Sequence, residues 1–353
     1  MTEVTIGVLA DPDLATRLAR SLRDDLPDEL ARVVGEQVEW RVLVNDDPFE
    51  AMYPDSVHLI DKAREYVRET TWDLALCVTD LPLRDGRSVL VADIDPAHQV
   101  ALISLPALGG MRLRQRLREL AVRIVEALRS RRSAALTRPN ARGLRVVEQG
   151  GELRLVRPVR FGSLFLLAGM VRANRPWQLV VGLSSALAGA MAGTAFGVLY
   201  SSIWLLATAM GPLRLTGITV SALVALSAWI IAGHGLWERR IDGRDDRYLA
   251  LRNAGTVSTV AVGTIVFFLA LYAITLVAVA VVIPPDYLTS TLGRPCGPSD
   301  YLTIALMATV LGTVAGAVGS GLEDDVTVRK ATYGYREQER RRVAEDQRRA
   351  REP

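Results

Sequence analysis

The sequence predicts two regions of different fold class, an α/β domain with a sheet of about five strands and an all-α membrane domain of four transmembrane helices. Three observations predict this. Short apolar runs alternate with amphipathic segments in the first part of the chain. Ionisable residues nearly vanish between Trp177 and Leu322 outside one connection, and four apolar stretches there approach or exceed the about 20 residues that cross a bilayer. We therefore expect an α/β domain at 1–132, a linker at 133–176, the membrane domain at 177–322 and a charged tail at 323–353.

Strand and helix patterns alternate through the first 132 residues. Five short apolar runs have the length of strands: Val4–Leu9, Val38–Val44, Leu74–Thr79, Ser88–Ala92 and Val100–Leu105. Three amphipathic segments are predicted as helices, one directly after the first strand, one at Ser56–Thr70 and one at Met111–Arg131. The third strand is apolar throughout, which is typical of a central strand buried on both faces.

The linker is predicted to hold a β-hairpin and an interfacial helix. Residues 144–158 alternate polar and apolar side chains on each side of a QGG turn. The apolar stretch FGSLFLLAGMV that follows is too short to span a bilayer, and its flanking Arg160 and Arg172 favour a helix lying at the inner leaflet. A buried segment of the soluble domain is the alternative. The tail, rich in both charges, is predicted to be a solvated or partner-binding segment.

Arginines near the apolar stretches predict the orientation of the membrane domain. The four predicted crossings are Leu179–Tyr200, Leu215–Leu236, Val257–Ile283 and Leu302–Ser320. Arginines cluster before the first, between the second and third, and after the fourth, whereas the other two connections carry only Arg214 and Arg294. The positive-inside rule then places both termini on the cytoplasmic side of the plasma membrane. The N-terminus lacks the basic segment of a signal peptide, which agrees with that orientation.

Small residues recur at every fourth position of the first and fourth crossings. They are Ser185, Gly189, Gly193, Gly197 and Ser201 in the first, and Ala308, Gly312, Gly316 and Ser320 in the fourth. In lipid, close backbone approach holds helices together, so we expect these stripes to pack on each other or on the same stripes of another subunit. The similar helix ends GHGLWE and GSGLED further suggest a two-hairpin repeat, with shared composition as the alternative explanation.

Acidic residues and a histidine are the candidate ligand or weak metal positions of the α/β domain. They are Asp80, which closes the third predicted strand, and Asp93, Asp95 and His98 in the segment ADIDPAHQ. A turn stabilised by Asx caps and a proline explains the segment with fewer assumptions. The sequence therefore predicts neither a metal site nor a cofactor.

Two carboxylates also follow the first strand, at Asp11 and Asp13 of LADPDLA. Together with Asp80 they hint at a phospho-accepting receiver domain. A receiver carries a lysine at the end of its fifth strand and a helix before that strand, whereas SLPALGG has no lysine and only DIDPAHQ separates the last two predicted strands. Because LADPDLA contains no glycine, a phosphate-binding loop is excluded at this turn.

The order of a central strand, the VTDLPL turn, a short strand, the ISLPALG edge strand and a long helix resembles the zincin metallopeptidases, archaemetzincins in particular, over residues 1–131 at most. The resemblance implies an edge strand beside the substrate and a zinc site on the helix. Where H-E-x-x-H would stand, the helix reads Arg118-Glu119-Leu120-Ala121-Val122. Without two histidines four residues apart, zinc has no site and Glu119 has no metal-bound water to deprotonate. The resemblance thus implies a catalytically silent relative, and without kinship Glu119 is an ordinary solvated helix residue.

The sequence shows no complete catalytic set, and no charged residue lies in the middle of a predicted crossing. It therefore predicts a non-catalytic cytoplasmic α/β domain that is held at the membrane and acts as a binding, scaffold or regulatory module. The expected partners are the lipid bilayer and either further copies of the chain or other membrane proteins. Nucleic acid is not expected, because a net charge of +3 comes without a basic stripe. A small oligomeric transporter and a membrane-tethered hydrolase are the alternatives, although ion-coupled transport normally needs intramembrane charge.

Overall fold

The structure is a computed structural model, and it describes residues 2–34, 38–46, 56–86, 88–130, 136, 143–174, 176, 184–237 and 246–320. The charged tail, the arginine-rich connection at 238–245 and the first residues of the first predicted crossing lie outside the described residues. The chain divides into two compact units. We call the part up to Ala173 the α/β unit and the part that starts at Asn174 the helical unit.

The α/β unit is built on a mixed β-sheet. Eight strands are described: β1 (Thr2–Ala10), β2 (Val38–Asp46), β3 (Leu74–Thr79), β4 (Arg84–Asp85), β5 (Ser88–Asp95), β6 (Val100–Ser104), β7 (Arg145–Gln149) and β8 (Glu152–Arg157). Their order across the sheet is β2-β1-β3-β6-β5-β8-β7, and β4 pairs with β5 outside this path. The neighbours from β2 to β6 are parallel. Those from β6 to β7 are antiparallel.

The expected sheet of about five strands was too small. All five predicted strands are present, but the hairpin β7–β8 joins the same sheet because β8 pairs with β5 along most of its length. Leu153, Leu155 and Val156 of β8 are buried as a result. An isolated hairpin in water lacks this burial, which is why it is rarely stable alone. The strand expected at the edge, β6, was also misplaced, since it lies between β3 and β5.

Helices cover both faces of the sheet. Those described in this unit are α1 (Leu14–Val34), α2 (Ser56–Glu69), α3 (Leu113–Ser130) and α4 (Val159–Asn174), whose last residue already belongs to the helical unit. The crossovers β1–α1–β2 and β2–α2–β3 run in opposite directions along the sheet, so right-handed connections place α1 and α2 on opposite faces. Ile60 of α2 belongs to one buried apolar cluster with Cys77 of β3 and Leu102 of β6.

Glycines allow α4 to lie directly against the α/β unit. A Cβ atom at Gly169 would overlap the carbonyl oxygen of Pro106, and one at Gly162 would lie 3.0 Å from Cγ2 of Val89. Leu166 on the same face is fully buried. One face of α4 therefore packs within the α/β unit, as the alternative interpretation of this segment proposed, whereas Leu164 and Ala168 on its opposite face are exposed.

The helical unit contains, in its described part, α5 (Ser184–Leu199), α6 (Ser201–Ala209), α7 (Pro212–Gly233), α8 (Asp246–Val282), α9 (Pro285–Leu292) and α10 (Pro298–Ser320). Three of them, α7, α8 and α10, are long and apolar enough to cross a membrane. The pair α5 and α6 meets the same criterion only together, and the two helices are bent by 83°. The described residues thus hold three candidate spans, or four if the bent pair is one span, where the sequence predicts four crossings.

The bend between α5 and α6 lies at Tyr200, whose backbone is extended with φ −97° and ψ 112°. The indole N–H of Trp204 donates a hydrogen bond of 3.1 Å to the carbonyl oxygen of Gly197. This bond satisfies one of the carbonyl groups that a helix end leaves without an intrahelical partner. Ser201 begins a new helix and therefore does not continue the stripe of small residues in which the sequence placed it.

The third predicted crossing is longer than expected, because α8 begins at Asp246 rather than at Val257. Its 37 residues correspond to about 55 Å at 1.5 Å per residue, well beyond a hydrocarbon core of about 30 Å. Each predicted hairpin has a short helix in its connection, α6 in the first and α9 in the second. A repeated two-helix unit would have this arrangement.

Candidate functional site

Glycines bring the backbones of α5 and α10 into contact. A Cβ atom at Gly193 would lie 2.6 Å from Cβ of Ala315, and one at Gly189 would lie 3.1 Å from the carbonyl oxygen of Ala315. A Cβ atom at Gly197 would overlap Ala308. The two stripes of small residues therefore face each other within one chain.

The glycines of α10 make the reciprocal contacts. A Cβ atom at Gly312 would lie 2.6 Å from the carbonyl oxygen of Ala190, and one at Gly316 would lie 3.0 Å from that of Ala186. Because these neighbours are backbone atoms, they cannot move aside as a flexible side chain does. The side chains of Ser185 and Ser320, the outer members of the stripes, lie outside the described ones.

Asp80 lies at the carboxyl edge of the parallel strands, next to Asp11. Both residues are buried, and they follow the neighbouring strands β3 and β1. The hydroxyl group of Thr79 donates a hydrogen bond of 2.6 Å to Oδ2 of Asp11 and accepts one of 3.1 Å from the N–H of Leu81. β2 and β3 flank β1 on opposite sides, so the strand order reverses here, and open α/β sheets often bind ligands at such a point.

Asp95 is held by its neighbours rather than left open for a ligand. Its Oδ2 accepts hydrogen bonds from Nε and Nη2 of Arg64 at 2.8 and 2.5 Å, and it lies 2.7 Å from Nδ1 of His98. Its Oδ1 accepts hydrogen bonds from the backbone N–H groups of Ala97 and His98. These two bonds form the Asx turn that the sequence favours. Burial by itself raises the pKa of Asp95, but the hydrogen bonds from His98 and Arg64 outweigh it and hold the pKa below its usual value.

Asp93 has a different environment. The residue is only 5% exposed, and its Oδ1 has no hydrogen-bond partner among the residues that the structure describes. Its Oδ2 lies 3.6 Å from Nε of Arg154, the residue opposite it on β8. A cavity of about 200 Å³ opens beside this pair. We call it the β5–β8 cleft, with the charged lining residues Arg64, Arg84, Asp85, Asp93, Glu152 and Arg154 and the aliphatic Ile60 and Leu90.

Four elements position the side chains of the β5–β8 cleft. Packed on β3 and β6, α2 supplies Ile60 and Arg64. The antiparallel strands β5 and β8 supply the central pair Asp93 and Arg154, and the short strand β4 adds Arg84 beside them. The cleft therefore depends on β8 having joined the sheet.

Arginines and carboxylates surround the cleft, but not all of their polar atoms are used. Nη1 of Arg154 lies 3.5 Å from Oδ1 of Asp85, and its Nη2 lies 3.4 Å from Oε2 of Glu152. Nη2 of Arg64 donates a hydrogen bond of 3.0 Å to Oε1 of Glu152. The buried Nε atoms of Arg84 and Arg154 have no hydrogen-bond partner within the described part of the chain. A buried polar group without a partner costs about 1–3 kcal/mol. Among the described residues, Nε of Arg84 and Oδ1 of Asp93 therefore lack a hydrogen-bond partner beside the cleft, and Nε of Arg154 has only the 3.6 Å ion pair with Asp93.

Burial raises the pKa of Asp93 to about 6, although the positive charge of Arg154 opposes the shift. The folded chain therefore holds the proton of Asp93 more tightly than the unfolded chain, in which the pKa is 3.8. The stability that comes from this proton is fully present below pH 3.8 and is lost as the pH rises through about 6.

We expect the substitution Asp93→Asn to remove this pH dependence. A shift of two pKa units corresponds to about 3 kcal/mol, and water in the open cleft lowers that to about 2 kcal/mol. Urea unfolding of the full chain in detergent micelles should show the free energy of unfolding of the wild type falling by this amount, relative to Asp93→Asn, between pH 4 and pH 7. The exposed residue Asp24 on α1 supplies the control, because Asp24→Asn should keep the wild-type dependence. Identical pH profiles for the wild type and Asp93→Asn would contradict the assignment.

On α3, the residues at the position of a zinc motif have structural contacts. Nε of Arg118 lies 3.2 Å from a carboxylate oxygen of Glu29 on α1. Glu119 is exposed and accepts a hydrogen bond of 2.9 Å from Gln115, four residues earlier. Within the described part of the chain, no three histidine, cysteine or acidic residues come together in a way that suits a metal ion. Glu119 thus has the environment of a solvated helix residue.

Comparison of the chain with protein-family models, curated proteins and solved structures gives no match. The resemblance to zincins stays a prediction from the order of the sequence elements. The candidate site consequently rests on the geometry of the β5–β8 cleft.

Sequence reasoning found Asp93 but missed the arginines around it. Arg64 and Arg154 come from α2 and β8, far from Asp93 along the chain. The sequence did contain a signal. Asp93 and Asp95 are two residues apart on β5, and so are Glu152 and Arg154 on β8. Because side chains two apart in a strand share a face, each strand has charges on one face. Only the pairing of the two strands shows that these charges meet.

Proposed function

We propose that this chain is a multi-pass protein of the plasma membrane whose α/β unit is a non-catalytic regulatory module that binds a small zwitterion in the β5–β8 cleft. The observation that carries the proposal is the buried Asp93, whose Oδ1 lacks a hydrogen-bond partner among the described residues, as does Nε of Arg84, while both residues line one cavity with Arg154. The described lining contains arginines, carboxylates and aliphatic side chains, and no hydroxyl or thiol nucleophile. Paired charges of both signs in the lining support binding of a small charged molecule.

The charges of the cleft favour a ligand that carries both signs. Guanidinium groups bind carboxylates through strong, charge-assisted hydrogen bonds, so Arg84 and Arg154 suit a carboxylate. The free oxygen of Asp93 suits an ammonium group. A cavity of about 200 Å³ equals roughly seven water molecules at about 30 Å³ each, which leaves room for a small amino acid.

The orientation in the membrane follows from the arginines of the sequence. They flank the first, middle and last connections, which supports a cytoplasmic location of both termini and of the α/β unit. Three helices long and apolar enough to span a bilayer support a multi-pass topology. A phosphatase reporter that is active only outside the cytoplasm, fused after Arg240, should be inactive. An active reporter would overturn the orientation.

Thermal unfolding of the full chain in detergent micelles tests the ligand. A ligand that binds only the folded state raises its stability, by about 2.7 kcal/mol at 100 times the dissociation constant. The compounds to compare are the zwitterions serine and glutamine, the dianion succinate and the dication putrescine. We expect at least one of the two zwitterions to raise the unfolding temperature, and neither succinate nor putrescine to do so. Asp93→Asn should abolish the shift, and Asp24→Asn should keep it. Equal shifts with succinate, or no shift with any of the four compounds, would refute the proposed ligand class.

A further inference from the structure

The side of α4 opposite its contacts with Pro106 and Val89 is apolar, and in the described part of the chain it is exposed. Leu164 is 68% exposed and Ala168 is exposed, while Leu167 and Val171 are half-buried. These four residues have the spacing i, i+3, i+4 and i+7, so they share one side of the helix. The buried residues Leu166, Met170 and Ala173 of α4 are apolar as well, so the described side chains of its middle part are apolar on both sides.

The loop before α3 extends this surface. A Cβ atom at Gly109 would lie 2.7 Å from the ring of Phe165, and one at Gly110 would lie 3.0 Å from the carbonyl oxygen of Ala168. The loop therefore lies against α4. Met111 follows directly and is 77% exposed.

Arginines border the apolar residues. The guanidinium carbons of Arg157 and Arg116 lie 4.4 and 5.3 Å from the centre of the Phe165 ring. Arg112 and Arg172 are exposed at the ends of the surface. We call the set Met111, Arg112, Leu164, Phe165, Ala168 and Arg172 the α4 face.

We propose that the α4 face docks on the surface of an anionic lipid bilayer. An apolar strip with arginines at its border matches the acyl chains and the negative headgroups of such a surface. Nine residues, 175–183, separate the end of α4 at Asn174 from the start of α5 at Ser184, and the ten Cα–Cα steps between those two ends span at most about 35 Å. The face is therefore tethered within reach of the bilayer that holds the helical unit. A second copy of the same face would instead bring arginine against arginine, which is unfavourable.

A fluorescent label on the full chain tests this proposal. We would attach an NBD group to Leu164→Cys, with Cys77 and Cys296 replaced by alanine, and place the protein in nanodiscs of phosphatidylcholine alone or mixed with phosphatidylglycerol. The expected result is a blue-shifted emission and quenching by spin-labelled lipid, both at least twofold stronger in the anionic discs. The label at Val147→Cys on β7, which is 39% exposed, should show neither effect.

A charge substitution separates lipid docking from coverage by protein. Arg112→Gln should reduce the difference between the two lipid compositions, whereas Arg41→Gln, on the strand at the far edge of the sheet, should leave it unchanged. Shielding of the label at Leu164→Cys in detergent without lipid would mean that another protein segment or a second copy covers the face, and it would overturn the proposal. Equal quenching at positions 147 and 164 would overturn it too.

Discussion

The substitution Gly312→Leu should separate α5 from α10 and destabilise the helical unit. A Cβ atom at this position would overlap Oγ1 of Thr194 and lie 2.6 Å from the carbonyl oxygen of Ala190, and a leucine adds three further carbon atoms. Overpacking a close contact typically costs about 1–3 kcal/mol, and we expect the upper end because a backbone atom blocks the side chain. Thermal unfolding of the full chain in detergent measures the loss.

Gly217→Leu is the matched control for this prediction. Gly217 lies in α7, and no heavy atom comes within 4 Å of a Cβ atom placed there. Because leucine forms helices better than glycine by close to 1 kcal/mol in water, the control should unfold at or above the wild-type temperature. An equal loss of stability in both variants would show that glycine is needed for reasons other than the contact between α5 and α10.

Arg64→Ala should strongly destabilise the α/β unit. Arg64 donates two hydrogen bonds to the buried carboxylate of Asp95 and one to Glu152. Removing one partner of a buried ion pair costs about 3–5 kcal/mol, and we expect about 3 kcal/mol because the Arg64 side chain keeps some contact with water. Urea unfolding followed by circular dichroism checks this value.

Arg68, one turn further along α2, provides the comparison. Its side chain is exposed, so Arg68→Ala removes a similar length of side chain and the same charge without leaving a buried carboxylate behind. The free energy of unfolding should change by less than about 0.5 kcal/mol, as is usual for surface positions. A loss as large as that of Arg64→Ala would assign the effect to the charge of α2 instead of the contact with Asp95.

Local pattern was sufficient to predict most individual elements. The alternation around QGG predicted the β-hairpin, now seen as β7 and β8, and the apolar run Leu74–Thr79 predicted a central strand, which is fully buried. Such patterns depend only on residues within one element, since a strand repeats every two residues and a helix every 3.6. The bend at Tyr200 was not predictable in this way, because the apolar stretch continues through it and no proline or glycine stands at that position.

The sequence by itself determined that the chain has an α/β part and a part with apolar helices long enough to cross a membrane, because composition and periodicity are local properties. Tertiary structure alone decided that β8 pairs with β5, that β6 is an interior strand, and that α5 packs on α10 within one chain. It also decided that Asp93 faces Arg154 in a cavity. These are contacts between distant residues, and their partners are selected by the burial and the charge balance of the whole unit, which no local pattern contains.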